Sequence, residues 1–191
     1  MKAFKRWFYI QIAAWCKLFK QTEAAIGYYR LALAERPDDA LVLGYIGFGY
    51  AELGRKRDAL AYFDRAVASK PDWAEGHFDR GFLLQELNDP QAALAAFDEA
   101  LRHDPKHDRA CYGKALTLIG LGRRAEAVAP LEKNTRLQPM SPFGWYQLGR
   151  VRFDLGEPDK AQAIIDHLAR FEPKVAAQLA RETGLRVPER P

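Results

Sequence analysis

Few side chains in this sequence are spaced to do chemistry. His103 and His107 stand four apart, the spacing at which two imidazoles share one helix face and hold a metal ion. Pro105 lies between them and breaks such a helix, so the pair reads as two polar residues of an exposed turn. Cys16 and Cys111 lie 95 residues apart, each at a position that reads as packed, where a thiol serves as a small hydrophobe. Two cysteines in 191 residues also exclude a disulfide scaffold and a cysteine-rich zinc module. No glycine-rich phosphate loop or nucleophile elbow is present. The expectation is a chain without catalytic residues, metal or cofactor, and not an enzyme.

Net charge is +4, too small a bias to indicate nucleic acid. Arg55-Lys56-Arg57 and Arg123-Arg124 each follow a Leu-Gly, but Asn88-Asp89-Pro90 and Glu157-Pro158-Asp159 interrupt any basic stripe. Apolar residues make up 48% and charged residues 28%, an ordinary globular mixture. The apolar run Trp7 to Cys16 is too short to cross a membrane. It also lacks the small residues of an export cleavage site, and Trp15 before Cys16 spoils a lipoprotein site. Abundant Ala, Arg and Leu give the composition a bacterial look, and the expected location is cytoplasmic, with peripheral contact at the inner membrane face left open.

The elements that position these residues follow from an internal period. Prolines recur at Pro37, Pro71, Pro105, Pro139 and Pro173, always 34 residues apart. Ala25, Ala59, Ala93, Ala127 and Ala161 keep the same step, as do the bulky Tyr29, Phe63, Phe97, Leu131 and Ile165 and the small Ala13, Gly47, Gly81, Ala115 and Gly149. Within residues 40–73, Leu43, Ile46, Gly47 and Tyr50 trace one helix face, Leu53-Gly54 ends it, and Ala59, Leu60, Phe63, Ala66 and Val67 trace a second. Each period is thus a helical hairpin, with small residues where the two helices cross.

This pattern resembles the tetratricopeptide repeat over residues 6–175. The resemblance implies an all-α, right-handed solenoid of helical hairpins forming a single repeat domain. Its units would be 6–39, 40–73, 74–107, 108–141 and 142–175, followed by a capping helix at 176–184 and a tail at 185–191. Tyr9, His77 and Cys111 depart from the tryptophan the family favours and Trp145 supplies, and Asn134 and Leu168 replace a second-helix alanine.

In this family the first helix of each unit lines a concave groove. Its positions here place Phe48, Phe78, Phe82, Tyr112, Leu116, Phe143, Tyr146 and Phe153 in an aromatic-aliphatic stripe, with Arg150, Arg109, Glu52, Glu75, Glu86 and Asp154 as a polar rim. The alternative is that these rings pack sideways on neighbouring units. The clamp for a terminal carboxylate found in chaperone adaptors is missing, because Gly44, Phe48, Phe78, Phe82, Tyr112 and Leu116 stand where its lysines and asparagines would. The expected role is a non-enzymatic adaptor holding a partner peptide or helix in the groove, within a larger complex.

A second surface comes from the first unit, where Phe8 and Trp15 occupy positions that elsewhere meet a preceding unit. With Trp7 and Phe4 they form an aromatic end face bordered by Lys2, Lys5, Arg6, Lys17 and Lys20. The face could meet a second copy or another protein, rest on an anionic membrane, or be covered by residues 1–5 folding back. The corresponding alternative role is a structural subunit that assembles or docks through this end.

Overall fold

Lys20, Gly54, Asn88, Gly122 and Gly156 all have positive φ, between 56 and 76°, and they recur at the same 34-residue step as the prolines. Each one closes a helix. The amide one residue later (Gln21, Arg55, Asp89, Arg123, Glu157) donates back to the carbonyl of Cys16, Tyr50, Leu84, Leu118 or Arg152 at 2.8–2.9 Å. This six-residue loop satisfies carbonyls that the helix end leaves without partners. Glycine is the usual residue at such a point, and Asn88 is a common substitute. Lys20 carries the same conformation without either advantage.

The computed structural model describes residues 1–187, and every regular element among them is a helix. Helices α1 (Lys2–Leu18), α2 (Thr22–Glu35), α3 (Ala40–Glu52), α4 (Lys56–Ser69), α5 (Ala74–Glu86) and α6 (Pro90–His103) form one compact unit, Met1–His103. A second, Asp104–Pro191, contains α7 (Asp108–Gly120), α8 (Arg124–Leu137), α9 (Pro142–Asp154), α10 (Pro158–Ala169) and α11 (Pro173–Thr183). Within the first unit α1 packs on α2, α3 on α4 and α5 on α6, while α2 and α4 also touch α3 and α5. Within the second, α9 packs on α8, α10 and α11. Of the tail expected at 185–191, residues 188–191 lie outside the described residues.

Packing explains the fixed residue types. The five alanines of the period are fully buried, and the bulky Tyr29, Phe63, Phe97, Leu131 and Ile165 are at most 6% exposed. A Cβ built on Gly47 would lie 3.1 Å from the Phe63 ring, and one on Gly81 would lie 2.8 Å from Phe97. The small residue of α3 or α5 therefore makes room for a ring of α4 or α6. At Gly149 the intruding group is Leu179 of α11, at 2.5 Å. Asn134 has a structural task of its own: its side-chain amide donates to the Asp108 carbonyl at 3.0 Å. Its carbonyl oxygen would lie 2.2 Å from any Cβ at residue 144, which is glycine.

Of the three ways the end face could be covered, the fold removes one. Residues 1–5 do not fold back over the aromatic end face, because Lys2 to Lys5 are the first turn of α1 and leave Phe4 exposed.

Neighbouring phenylalanines thus belong to different classes. Phe97→Ala should lower unfolding free energy by about 3–5 kcal/mol, since it empties a filled core site. Phe82→Ala, at a ring 53% exposed, should cost under about 1 kcal/mol. Urea unfolding followed by circular dichroism separates the two. Equal losses would place Phe82 in the core.

Candidate functional site

The rings expected to face a groove fall on α3 and α5 in the first unit and on α7 and α9 in the second. In the first unit Phe48 and Phe82 are exposed and Phe78 is half-buried. Phe78 touches Phe82 at 6.4 Å between centroids and Phe97 at 6.0 Å, so it bridges surface and core. Phe48 stands edge-on to Phe63 at 5.2 Å. Leu41 and Tyr45 of α3 are exposed as well. Gly44, in contrast, lies under the Trp73 indole, which leaves no room for a side chain.

In the second unit the arrangement is concave. Tyr112 of α7, Pro142, Phe143, Tyr146 and Gln147 of α9, and Val175 and Gln178 of α11 line a cleft of about 250 Å³. Phe143 is exposed, while Tyr112 and Tyr146 are half-buried in its walls. Burial pushes the Tyr112 hydroxyl pKa up, so this group stays neutral near pH 7. The cleft has a polar end: the Tyr146 hydroxyl donates to Glu182 at 2.6 Å, and Gln178 donates to both Tyr146 and Glu182. Arg150 pairs with Glu182 at 3.2 Å. Leu116 and Phe153 are half-buried and do not line this cleft.

The acidic rim is engaged by cations. Glu52 accepts from Lys17 and from Thr22, Glu86 pairs with Lys56 at 3.4 Å, and Asp154 pairs with Arg124 at 3.0 Å. Thr22, Lys56 and Arg124 occupy one sequence register, as do Glu52, Glu86 and Asp154. The contact therefore recurs between the start of a second helix and the end of the following first helix.

His103 and His107 belong to different elements. His103 ends α6, whereas His107 caps α7, its Nδ1 accepting from the Ala110 amide at 3.2 Å. The fold instead brings His77 of α5 beside Glu99 and His103, with one donor atom of each within 4.8 Å of the others. Arg102 already supplies a cation there, bonding Glu99 and lying 2.7 Å from the His103 Nε2. It holds the Glu99 carboxyl below its ordinary range. The His77 Nε2–H donates to the Pro71 carbonyl at 2.9 Å, as the Trp145 indole does to Pro139 at 2.9 Å. An imidazole thus replaces the indole in a structural bond. Two periods later the same three positions hold Trp145, His167 and Phe171, a group of packed rings. Cys111 is fully buried and its thiol pKa is raised by that burial, so it is held as the unreactive thiol.

At the end face, Trp7, Phe8 and Trp15 are exposed, together with Met1, Phe4, Leu18 and Phe19. Phe4 stacks with Phe8 at 6.4 Å, and Trp15 with Phe19 at 6.3 Å. The opposite side of α1 is buried through Ala13, with Tyr9, Ile10 and Cys16 packed on the core. No helix among the described residues is long and apolar enough to cross a membrane.

Comparison with known proteins bears on the fold. Residues 46–113 match the family model of the tetratricopeptide repeat. A crystal structure of MamA protein superposes with a TM-score of 0.81 at 20% identity, covering 97% of this chain and 98% of that one. PilF of Pseudomonas aeruginosa gives 0.79 at 20% identity, covering 96% and 86%. YrrB, described as a TPR protein with an unusual peptide-binding site, gives 0.76 at 20% identity, covering 91% and 90%. No curated protein matches in sequence. At these identities the likeness is one of fold: an all-helical solenoid of hairpins.

The polar end of the cleft makes a pH prediction. Glu182 is held below its ordinary value of 4.5, chiefly by the Tyr146 hydroxyl and then by Gln178. A depressed folded value contributes stability that is complete above the ordinary value and lost as pH falls through the depressed one. Between pH 7 and pH 3, the thermal midpoint of the Glu182→Gln variant should therefore fall less than that of the unaltered chain. Parallel curves would show that this network does not hold α11.

Proposed function

We propose that this chain, a tetratricopeptide-repeat solenoid, is a non-enzymatic adaptor that binds a peptide or helix of another protein on the aromatic surfaces of its first-position helices. It would act in the cytoplasm within a larger complex. The observation that carries the reading is the cleft of Tyr112, Phe143, Tyr146 and Val175 with its Tyr146–Glu182–Arg150 end. Apolar walls with one polar end suit an apolar anchor residue next to a hydrogen-bonding group. The exposed Phe48 and Phe82 offer a further apolar surface on the first unit. Aromatic anchors each contribute about 2 kcal/mol or more, so three support micromolar binding after association costs. The named neighbour with a peptide-binding site is consistent with such a use of the fold.

A second reading is favoured by the exposure of Trp7, Phe8 and Trp15 on one face of α1. In it the chain is a structural subunit that assembles or attaches through that end, leaving the cleft free for a partner.

Affinity capture from native lysate, with the captured proteins identified by mass spectrometry, separates the two. The Phe82→Ala/Tyr112→Ala/Tyr146→Ala variant, checked for helical content, should lose a partner that the Phe8→Ser/Trp15→Ser variant keeps. That partner's binding peptide should then bind the purified chain and weaken at least tenfold with the first variant. If the first variant retains every partner, the rings serve packing alone and the adaptor reading fails.

A further inference from the structure

The outward face of α1 is apolar along its whole length. Phe4, Trp7, Phe8, Trp15, Leu18 and Phe19 are each 48–70% exposed. At 100° per residue they share one stripe with Gln11 and Ala14, and Gln11 is the single polar residue on it. The helix has 17 residues, a stripe about 25 Å long. Isolated exposed apolar side chains are ordinary, but six large ones on one helix and its C-terminal cap are not.

Charge identifies what covers the stripe. Lys2, Lys5, Arg6, Lys17 and Lys20 cluster toward the two ends of α1 outside the stripe, and no acidic residue precedes Glu23 in the sequence. Two of the five cations turn inward: Arg6 pairs with Asp39, and Lys17 with Glu52. Both acids sit on or next to α3, so these pairs fix α1 to the body of the first unit. Lys2 and Lys5 are exposed near the start of α1 and Lys20 just past its end. A second copy is a poor occupant, because a symmetric dimer places the same patch against itself and sets these lysines against their counterparts. An anionic bilayer fits both features at once. Lysines meet lipid phosphates, tryptophans take the headgroup level they favour, and phenylalanine and leucine reach the acyl boundary.

From this we infer that α1 is a peripheral docking surface for anionic lipid, with the helix lying in the bilayer plane. The inference rests on the second reading above and names its partner. Asp39 also caps α3, accepting from the Val42 amide at 3.3 Å, so its link to Arg6 ties the face to a folded element. The helix exists before it meets lipid, and binding carries no cost of folding it. Each surface lysine adds about fivefold to partitioning onto an acidic membrane at low salt, and screening removes that gain as salt rises.

The test is flotation of the full chain with vesicles of phosphatidylcholine alone or with 30% phosphatidylglycerol, run beside sedimentation velocity of the chain without lipid. Binding is expected to the acidic vesicles only, and to fall at least tenfold between 50 and 500 mM NaCl. The Phe8→Ser/Trp15→Ser variant should lose binding at least tenfold with helical content intact. Lys2→Glu/Lys5→Glu/Lys20→Glu, which leaves every ring in place, should lose it more than thirtyfold. Failure of the unaltered chain to float, or flotation unchanged in both variants, overturns the lipid proposal. If the chain instead sediments as a dimer that Phe8→Ser/Trp15→Ser dissolves, the end-face reading survives and its partner is a second copy. If it neither floats nor dimerises, lipid docking and self-assembly through this end fall together.

Discussion

The fit of one small residue against one bulky residue sets the rest of the hairpins α3–α4 and α5–α6. Gly47 lies under Phe63 and Gly81 under Phe97, with no space for even a methyl group at Gly81. Close approach at that point lets the alanines of the second helices reach zero exposure. The helix spacing is thereby fixed, and so is the direction in which every other side chain leaves the helix. Core positions are committed to this fit. Phe48 and Phe82, one residue further along, keep an exposed face, although Phe48 stands edge-on to Phe63.

Electrostatics adds a second constraint between successive helices. The acid at the end of a first helix is bonded by the residue opening the preceding second helix: Thr22 to Glu52, Lys56 to Glu86, Arg124 to Asp154. The Lys56–Glu86 and Arg124–Asp154 pairs are exposed enough to contribute little to stability. Their consequence is for recognition, since acids already holding cations present less negative charge to a partner. The cleft of the second unit is mostly apolar wall, closed at one end by the Tyr146–Glu182–Arg150 group.

Much of this was legible in the residue order because steric limits act on single positions. The alanine, bulky and small registers appear as residue types, and Gly54, Gly122 and Gly156 mark their turns openly. Lys20 and Asn88 did not, although they carry the same positive φ. Their neighbours dictate the turn, and the energy of adopting it is small enough for hydrogen bonding to offset. The His77–Glu99–His103 group was hidden for a different reason. Those residues meet only once α5 and α6 are packed, while the visible pair His103 and His107 is divided between two elements.

The sequence by itself determined that the chain is built of helical hairpins and which positions are core, because volume and backbone conformation are local properties repeated at a constant interval. It also determined the character of α1, basic and aromatic with no acid before Glu23, since charge and helical spacing need no third dimension. Tertiary structure alone decided how the surface residues group. Val175 and Gln178 join Tyr112 and Tyr146 in one cleft because α11 packs on α9, and no interval in the sequence encodes that contact. It decided likewise that Arg6 and Lys17 face inward to Asp39 and Glu52 while Lys2, Lys5 and Lys20 stay outside. The pairing of a charge depends on which carboxylate the fold brings within reach.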